Sequence, residues 1–322
     1  MPVTVRSFAK INLGLRIGPG RPDGFHDLLT VYQTIGLHDR ISVSVGRGTG
    51  IEIRCSNPTV PTDQSNTCFR IVELALDTLK TKAHVVIDIE KRLPVQGGLG
   101  GASSNAVATL LALERALKKP LPSAERLRIA SQVGSDLPLF LIGGAVLGLG
   151  RGEQVYPLPD FPATACVIIT PQVGVSTPKA FAAWDRKSDQ KSARKLTLPA
   201  SSDRMVELDR ELSAQLSKCY SGAPFRRGRR ENLLFELVRT GIQNDFEQVV
   251  FPEYPELSEV KKALERAGAQ YASLSGSGST LYGLFASKPA ARLAAAKLRK
   301  QGWAAQATAT QSRTQYWSKI FD

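Results

Sequence analysis

The most informative segment of the chain is Pro94-Val-Gln-Gly-Gly-Leu-Gly-Gly-Ala-Ser-Ser-Asn105. It follows a strand-like apolar run at 85–89 and enters an Ala-rich segment, 104–117, that lacks glycine and proline. Glycines let successive backbone N–H groups turn toward one anion, and a helix N-terminus adds partial positive charge. The segment therefore predicts a phosphate-binding loop, with a plain flexible turn as the alternative. It is not a Walker A loop, because no Gly-Lys-Ser/Thr ends it, and the spacing of a dinucleotide fingerprint breaks at Ser103.

Hydrophobic periodicity on both sides of this loop predicts alternating strands and helices. Before the loop we expect a helix at Thr67–Leu79 and strands at Val3–Phe8, Ile11–Ile17 and Leu28–Ile35, which form a β-meander, and at Ile41–Val45, Ile51–Cys55 and Val85–Ile89. After it we expect strands at Ala145–Leu149, Cys166–Thr170, Tyr271–Leu274 and Leu281–Phe285, and helices at Ser104–Leu117, Ser123–Val133, Met205–Leu216, Leu233–Val238 and Leu257–Ala267. Ser123 is the expected cap of its helix, and Gly134 the residue that ends it. Interleaved elements in both halves indicate α+β domains.

Length and composition limit the class of protein. A chain of 322 residues favours two domains, and the Pro-rich segment Pro157–Pro162 divides it into 1–160 and 161–322. The longest apolar stretch, 137–150, is shorter than the roughly 20 residues that span a bilayer, and the N-terminus lacks an apolar signal core. Four scattered cysteines and three histidines show no metal-ligand spacing. We therefore expect a cytoplasmic protein with no membrane span, no disulfide scaffold and no protein metal cage.

The charge of the chain is strongly positive and unevenly placed. The formal net charge is +13, and the Ser-rich stretch 186–230 holds 12 Lys or Arg against 5 Asp or Glu, a net charge of +7. Few aromatic residues are interleaved with these basic ones, which disfavours nucleic-acid recognition. We expect a solvated basic insertion here, and part of the remaining charge can steer anionic ligands.

Five motifs in this chain resemble those of the GHMP kinases, the superfamily of galactokinase, homoserine kinase and mevalonate kinase. Segment 94–105 resembles their ATP loop, and Phe8-Ala-Lys-Ile-Asn-Leu13, followed by Arg21-Pro-Asp-Gly-Phe-His26, resembles an opening motif of the superfamily. Gly134-Ser-Asp-Leu-Pro138 is similar to the catalytic aspartate segment, and Leu274-Ser-Gly-Ser-Gly-Ser279 to a third glycine motif. Asn244-Asp-Phe-Glu247 is a weaker fifth match. The motifs stand in the family's order from residue 8 to residue 279, so only 186–230 lies outside the resemblance.

The resemblance implies a two-domain α+β fold, with an N-terminal ribosomal-protein-like β/α domain and a C-terminal ferredoxin-like α/β sandwich. It implies an ATP-dependent kinase, with Mg²⁺ brought by the nucleotide and a small-molecule acceptor, acting as a monomer or homodimer. Asn105 after the two serines is closest to the branch that phosphorylates the 2-hydroxyl of a cytidine-diphosphate-linked alcohol in non-mevalonate isoprenoid precursor biosynthesis. A kinase for mevalonate or homoserine, and a catalytically silent nucleotide-binding regulator, are the alternatives.

The resemblance also implies catalytic and nucleotide-binding residues. Asp136 is the candidate base, and Lys10 would keep its carboxylate ionised and stabilise the transferring charge. From the residues alone, Asp136 reads as a turn or cap residue and Lys10 as a side chain that snorkels at a sheet edge. The ATP-binding residues would be Pro94, Val95, Gln96, Gly97, Gly98, Leu99, Gly100, Gly101, Ala102, Ser103 and Ser104. Gln96 and Ala102 depart from the family, which often has a small residue or glycine at those positions, and Ala102 is tolerated if its φ is negative.

The acceptor site implied by the resemblance is a cytidine pocket. Phe25, where the family commonly has Tyr, would stack on the cytosine while His26 bonds its polar edge, and Phe181 would be the second stacking ring. Trp184 competes with Phe181 for that role. A core Phe beside a surface His is the alternative for the first pair. The other implied substrate-binding residues are Asn12, Thr177, Gly276 and Ser277.

Overall fold

The computed structural model describes residues 1–193, 234–235, 238 and 243–322. Most of the basic stretch 186–230 and the predicted helix Met205–Leu216 lie outside the described residues. Of the predicted helix Leu233–Val238, only Leu234, Phe235 and Val238 are described, and all three are helical. No helix among the described residues is long and apolar enough to cross a membrane.

The first sheet has six strands and packs against four helices. Its strands are β1 (Val3–Gly20), β2 (His26–Gly46), β3 (Gly50–Cys55), β4 (His84–Glu90), β5 (Ala145–Leu149) and β6 (Gln154–Pro157). They are ordered β3-β4-β2-β5-β6, with β1 paired antiparallel to β2, and only the β3–β4 pair is parallel. The helices are α1 (Thr67–Thr78), α2 (Gly101–Leu117), α3 (Ser123–Val133) and α4 (Leu137–Phe140). The predicted elements of this half are therefore largely confirmed.

Two predictions in this half are wrong. The three-strand meander is one long hairpin, since β1 continues through both predicted strands and β2 absorbs Ile41–Val45. The pairing of β1 with β2 shifts register between Phe8 and Lys10, between Asn12 and Gly14, and between Ile17 and Gly20. Such irregularities let one long strand stay paired where the regular alternation is interrupted. Ser123 does not cap α3, because the cap position is Pro122 and no side chain accepts a hydrogen bond there, whereas Gly134 does end the helix.

The second sheet has four strands in an all-antiparallel arrangement. The elements are β7 (Ala165–Ile169), α5 (Thr177–Ala193), α6 (Glu247–Glu253), α7 (Pro255–Arg266), β8 (Tyr271–Leu274), β9 (Leu281–Phe285), α8 (Lys288–Lys300), β10 (Ala305–Ala309) and α9 (Arg313–Lys319). The sheet order is β10-β7-β9-β8, so its strands, taken in chain order, lie 4-1-3-2. That order with β-α-β-β-α-β connectivity is the ferredoxin-like arrangement predicted for this half.

A buried apolar layer joins the two sheets. It contains Ile11 and Leu13 of β1, Ile168 of β7 and Leu284 of β9, all 2 % exposed or less. Successive side chains of a strand point to opposite faces, so Lys10 and Asn12 point away from this layer. The first and second sheets each have a further core against their own helices, and α9 supplies Tyr316 to the core of the first sheet. The predicted division at residue 160 falls between β6 and β7 and stays a prediction.

Candidate active site

The glycine-rich loop 94–101 leads into α2 and forms one wall of a cavity of about 370 Å³. α2 begins at Gly101, three residues before the predicted start, and Gly100 occupies its cap position. The helix N-terminus therefore opens directly onto the cavity, where orphan N–H groups and the helix dipole favour an anion. Ala102 lies inside the helix and does not have a positive φ. A side chain is therefore tolerated at this position, where the family often has glycine.

The predicted nucleotide residues line this cavity, with one exception. Residues 94–103 and Asn105 face it, but Ser104 does not. The Ser104 hydroxyl is buried, donates to the carbonyl oxygen of Phe8 at 2.7 Å and accepts from the Ser7 hydroxyl at 2.8 Å. Ser104 therefore fastens α2 to β1 instead of facing a ligand.

Sequence reasoning missed the opposite wall of the cavity. This wall contains Lys91 and the loop before α1, whose lining residues are Thr59, Val60, Pro61, Ser65, Asn66 and Thr67. The Lys91 ammonium lies 2.5 Å from the Asp39 carboxylate and is 6 % exposed. The available signal was the short Pro/Ser/Thr-rich segment ending in Asn66, which caps α1 through a bond from the Cys68 N–H.

Two glycine-rich loops touch each other at this site. Gly98 has φ +75°, and a Cβ placed on it would lie 2.2 Å from the carbonyl oxygen of Ser275. The Ser275 hydroxyl donates to the Gly98 carbonyl at 2.9 Å, and the Thr280 N–H donates to the Gly97 carbonyl at 3.2 Å. The glycine-rich loop 94–101 and the third glycine motif therefore form one continuous surface.

Lys10 and Asp136 meet at the edge of this surface. The Lys10 Nζ lies 3.3 Å from Asp136 Oδ2 and donates to Asn12 Oδ1 at 2.7 Å. Lys10 is 3 % exposed, so it does not snorkel, while Asp136 is 32 % exposed. Asp136 stands at the cap position of α4, and its carboxylate accepts no capping bond from that helix.

A buried tyrosine holds the other carboxylate oxygen. The Tyr32 hydroxyl donates to Asp136 Oδ1 at 3.0 Å, and the Lys10 Nζ lies 5.6 Å from the Tyr32 ring centroid. Burial, and next the negative charge of Asp136, raise the pKa of the Tyr32 phenol well above its usual value. The phenol therefore stays protonated and remains a donor at neutral pH. Sequence reasoning did not identify Tyr32, which reads as an ordinary strand aromatic.

Of the predicted aromatic residues, His26 and Phe181 stack on each other, whereas Phe25 contacts Arg151. The His26 ring stacks on Phe181 at 5.0 Å with an interplanar angle of 10°, and its Nε2 lies 2.7 Å from Asp185 Oδ1. Phe25 is 50 % exposed, and its ring lies under the Arg151 guanidinium at 4.9 Å. Phe25 is therefore not a core residue and His26 is not a fully exposed one, so the alternative of a core Phe beside a surface His does not describe them. Trp184 is buried in the core of the second sheet and so presents no open ring face.

The remaining predicted substrate residues line the third glycine motif. The Thr177 hydroxyl, at the start of α5, is 2.7 Å from the Ser277 hydroxyl. A Cβ placed on Gly276 would lie 3.5 Å from Asn12 Oδ1 and 3.6 Å from Lys10 Nζ. The structure therefore brings Gly276 beside Asn12 and Lys10, and Ser277 beside Thr177.

The described residues offer oxygen donors for a cation but no cage. No group of three His, Cys, Asp or Glu side chains in the described part of the chain is arranged to hold a metal ion. The oxygen donors beside the loop are the Ser103 hydroxyl, which lines the cavity, and the partly exposed carboxylate of Asp136. This donor set fits a magnesium ion that is held mainly by nucleotide phosphates and water.

The chain matches two family models, and their order agrees with the order of its two sheets. Residues 66–144 match the GHMP kinases N terminal domain, and residues 226–303 match the GHMP kinases C terminal domain. The 4-diphosphocytidyl-2-C-methyl-D-erythritol kinase of Solibacter usitatus (strain Ellin6076) is 38 % identical over 284 residues, which cover 87 % of this chain and 80 % of the relative. The kinase of the same name from Geobacter sulfurreducens (strain ATCC 51573 / DSM 12127 / PCA) is 33 % identical and covers 96 % of this chain and 99 % of its own.

Solved structures show the same relationship in the backbone. A crystal structure of 4-(cytidine 5'-diphospho)-2C-methyl-D-erythritol kinase superposes with a TM-score of 0.73 at 28 % identity, covering 96 % of this chain and 99 % of that one. A homoserine kinase from Cytophaga hutchinsonii ATCC 33406 superposes with a TM-score of 0.69 at 19 % identity, over 97 % of this chain and 95 % of that one. The second likeness shows the fold alone.

Proposed function

The chain belongs to the 4-diphosphocytidyl-2-C-methyl-D-erythritol kinases within the GHMP kinases, and we propose that its cleft transfers the γ-phosphoryl group of ATP to the 2-hydroxyl of that cytidyl-linked alcohol. It is an ATP-dependent kinase of isoprenoid precursor biosynthesis. The observation that supports the proposed transfer is the ion pair between Lys10 Nζ and Asp136 Oδ2, which lie 3.3 Å apart beside a glycine-rich loop that leads into a helix N-terminus.

Asp136 is the proposed general base. Its carboxylate takes the proton from the 2-hydroxyl while that oxygen bonds to the γ-phosphorus and the bond to the β-phosphate oxygen breaks, leaving ADP. Tyr32 holds Oδ1 and Lys10 holds Oδ2, so the carboxylate plane is fixed before substrate arrives. A positioned base contributes roughly 10²- to 10⁴-fold to such a transfer.

Lys10 has a second proposed role, because its ammonium also stabilises the charge on the transferring phosphoryl group. Its buried stem and its bond to Asn12 hold the ammonium on the cleft side of β1. Asn12 in turn donates from Nδ2 to the Thr30 hydroxyl at 2.8 Å, which orients its amide. Asn12 is proposed to contact the acceptor through this oriented amide.

Loop 94–103 is the proposed ATP site, with its N–H groups and the start of α2 directed at the phosphates. The Ser104 side chain is not proposed to contact the nucleotide, because its hydroxyl is buried and donates to the Phe8 carbonyl oxygen. Mg²⁺ bound with ATP would neutralise phosphate charge, and the Ser103 hydroxyl in the cavity wall is the protein group proposed to hold it.

The cytidyl group is proposed to bind around Phe25, His26 and Phe181, with Thr177, Gly276 and Ser277 on the diphosphate side. Because the His26 ring covers one face of Phe181, a cytosine that stacks on that face displaces the imidazole. Arg151 lies over one face of Phe25, which leaves the other face for the base.

The cellular setting and assembly state are proposed from the same chemistry. The described cysteines Cys55, Cys68 and Cys166 are unpaired, as is usual in a reducing compartment, and we propose that the enzyme acts in the cytoplasm. Both proposed ligands are small molecules that one chain can enclose, and a monomer or a homodimer fits this cleft.

The decisive experiment compares wild-type protein with Asp136→Asn in ATP-dependent phosphorylation of the cytidyl substrate, mevalonate and homoserine. We expect wild type to use only the cytidyl substrate, and Asp136→Asn to lose roughly 10²-fold or more of kcat while ATP binds within twofold in calorimetry. Asp160→Asn is the matched control, because Asp160 is 30 % exposed and lies outside the cleft. We expect its kcat to be unchanged.

The other outcomes separate the alternatives. Full turnover by Asp136→Asn would remove Asp136 as the base. Phosphorylation of mevalonate or homoserine alone would replace the acceptor. ATP binding with no phosphorylation of any acceptor by wild type would indicate a silent regulator.

A further inference from the structure

The segment Asn244–Glu247 lies against the third glycine motif, on the side away from the cleft. The Asn244 amide donates from Nδ2 to the carbonyl oxygens of Leu274 at 2.9 Å and Gly276 at 2.7 Å. Glu247 accepts from the Ser273 hydroxyl at 2.7 Å and from the Leu274 N–H at 2.9 Å. Two side chains of one short segment therefore make four hydrogen bonds to Ser273, Leu274 and Gly276 at the entry to this loop.

The same segment is tied to the strand that carries Lys10. Asp245 Oδ2 accepts from the Ile17 N–H at 3.0 Å, and the Asp245 N–H donates to the Leu15 carbonyl at 2.9 Å. Leu15 and Asn244 also form a parallel β-bridge. Asn244 and its neighbour Asp245 therefore link the glycine loop to β1.

Asn244 is a fully satisfied buried amide. It is 2 % exposed, both protons of Nδ2 are used, and Oδ1 accepts from the Phe246 N–H at 3.1 Å. Aspartate is nearly the same shape and can keep the bond from Phe246, but it has no proton to give to the two carbonyls. A buried carboxylate oxygen facing two carbonyl oxygens is repelled by them, so Asn244→Asp keeps the size of the side chain but replaces two attractive contacts by repulsive ones.

The bond to Gly276 also sets the direction of the next peptide group. The C=O and N–H of a trans peptide point in opposite directions, so a Gly276 carbonyl aimed at Asn244 turns the Ser277 N–H away from it. Gly276 has φ +60°, and within the described residues the Gly276 and Ser277 N–H groups donate to no protein atom. Successive free N–H groups around a left-handed residue form an anion-binding concavity.

We propose that Asn244 is a positioning residue for phosphoryl transfer, which acts by clamping the Leu274 and Gly276 carbonyls so that the free N–H groups of the loop stay beside Lys10 and Asn12. This proposal rests on the proposed function. Phosphoryl transfer depends on positioning and charge stabilisation, and a displacement of about 1 Å costs about 10²-fold in rate. Asn244 contacts no substrate, so its effect appears in the rate and not in nucleotide affinity.

The test measures kcat and both KM values for Asn244→Asp and Asn244→Ala with ATP and the cytidyl substrate. We expect kcat to fall about tenfold or more in both variants, with KM for ATP within about threefold of wild type. Hydrogen exchange of the peptide covering 274–280 should become faster in Asn244→Asp, while that of the peptide covering α2 stays the same. Leu298→Ala is the control for lost stability, since Leu298 is fully buried on α8, away from the cleft. It should lower Tm and leave kcat within twofold.

A purely structural role predicts a different pattern. Asn244→Asp, which keeps the Phe246 bond, would then retain wild-type kcat, or lose it only in proportion to the folded fraction, as Leu298→Ala does. Either result overturns the proposal. If wild type phosphorylates no acceptor, the proposed function fails by itself, and the exchange comparison still decides on the clamp, because unchanged exchange of 274–280 in Asn244→Asp overturns it.

Discussion

Replacing Gly98 by alanine should separate the two glycine-rich loops. A Cβ at Gly98 would lie 2.2 Å from the Ser275 carbonyl oxygen and 3.1 Å from that of Gly278, and both atoms belong to backbone. An ordinary contact begins at 3.4 Å, so the loops must move apart by about 1 Å or more. Alanine in the left-handed region adds roughly 1–2 kcal/mol of strain.

The displacement and the strain have different consequences. A shift of about 1 Å in the groups that position the phosphates lowers kcat/KM for ATP by about 10²-fold. The strain lowers the stability of the folded chain, which should appear as a fall of several degrees in Tm. The assay is steady-state kinetics at varied ATP with the cytidyl substrate saturating, together with thermal unfolding of the same preparation.

Gly268→Ala is the matched control for Gly98→Ala. Gly268 has φ +98° and nothing within 4 Å of a Cβ placed on it, so the variant carries the left-handed strain without the clash. We expect a lower Tm and unchanged kinetics. If Gly98→Ala kept the kinetics of Gly268→Ala, the contact between the loops would have no part in nucleotide use, and the reasoning would be refuted.

Three further changes test other parts of the site. Tyr32→Phe removes the donor to Asp136 Oδ1, which should lower kcat roughly tenfold with little change in KM for ATP, and an unchanged kcat would show that Lys10 alone orients the carboxylate. His26→Ala should raise KM for the cytidyl substrate about tenfold or more and that for ATP less than twofold, with a smaller rise in Asp185→Asn, whereas a selective loss for ATP would contradict the pocket. Burial raises the pKa of Tyr271 to about 12, and it also raises the pKa values of the buried Tyr32, Tyr282 and Tyr316. The unfolded chain therefore releases phenolic protons first, above about pH 10, and stability that is complete below that pH should fall by about 1.4 kcal/mol per pH unit for each of these tyrosines. Tm and phenolate absorbance measured together between about pH 8 and pH 11 check this, and a Tm independent of pH there would contradict it.

Periodicity was sufficient for most elements because each depends on a local pattern. The strands Tyr271–Leu274 and Leu281–Phe285 were predicted with the observed bounds, since Gly and Ser residues end both apolar runs. The first hairpin was not, because register shifts are set by the partner strand and leave no local signal. The predicted start of α2 is three residues late because Gly101, Ala102 and Ser103 were assigned to the loop.

The candidate site could be predicted only where a family motif identified residues that are far apart in the chain but in contact in the structure. Lys10 and Asp136 lie far apart in the chain, and the pattern around Lys10 alone favours a surface lysine, although it is 3 % exposed. The stacking of His26 on Phe181 and its bond to Asp185 depend on where α5 packs, which no nearby residue encodes. Lys91 was missed for the same reason, because its partner Asp39 lies on another strand.

Helix α9 packs into the core of the first sheet, whose strands are synthesised much earlier than the helix. Its Tyr316 hydroxyl donates to the Phe140 carbonyl, 176 residues earlier in the chain, and its ring fills the core of the first sheet. At about 5–20 residues per second, a ribosome needs roughly 9–35 s to make that interval. During this time the half that emerges first lacks the Tyr316 ring in its core, so we expect it to be less stable than in the finished protein until α9 has been made.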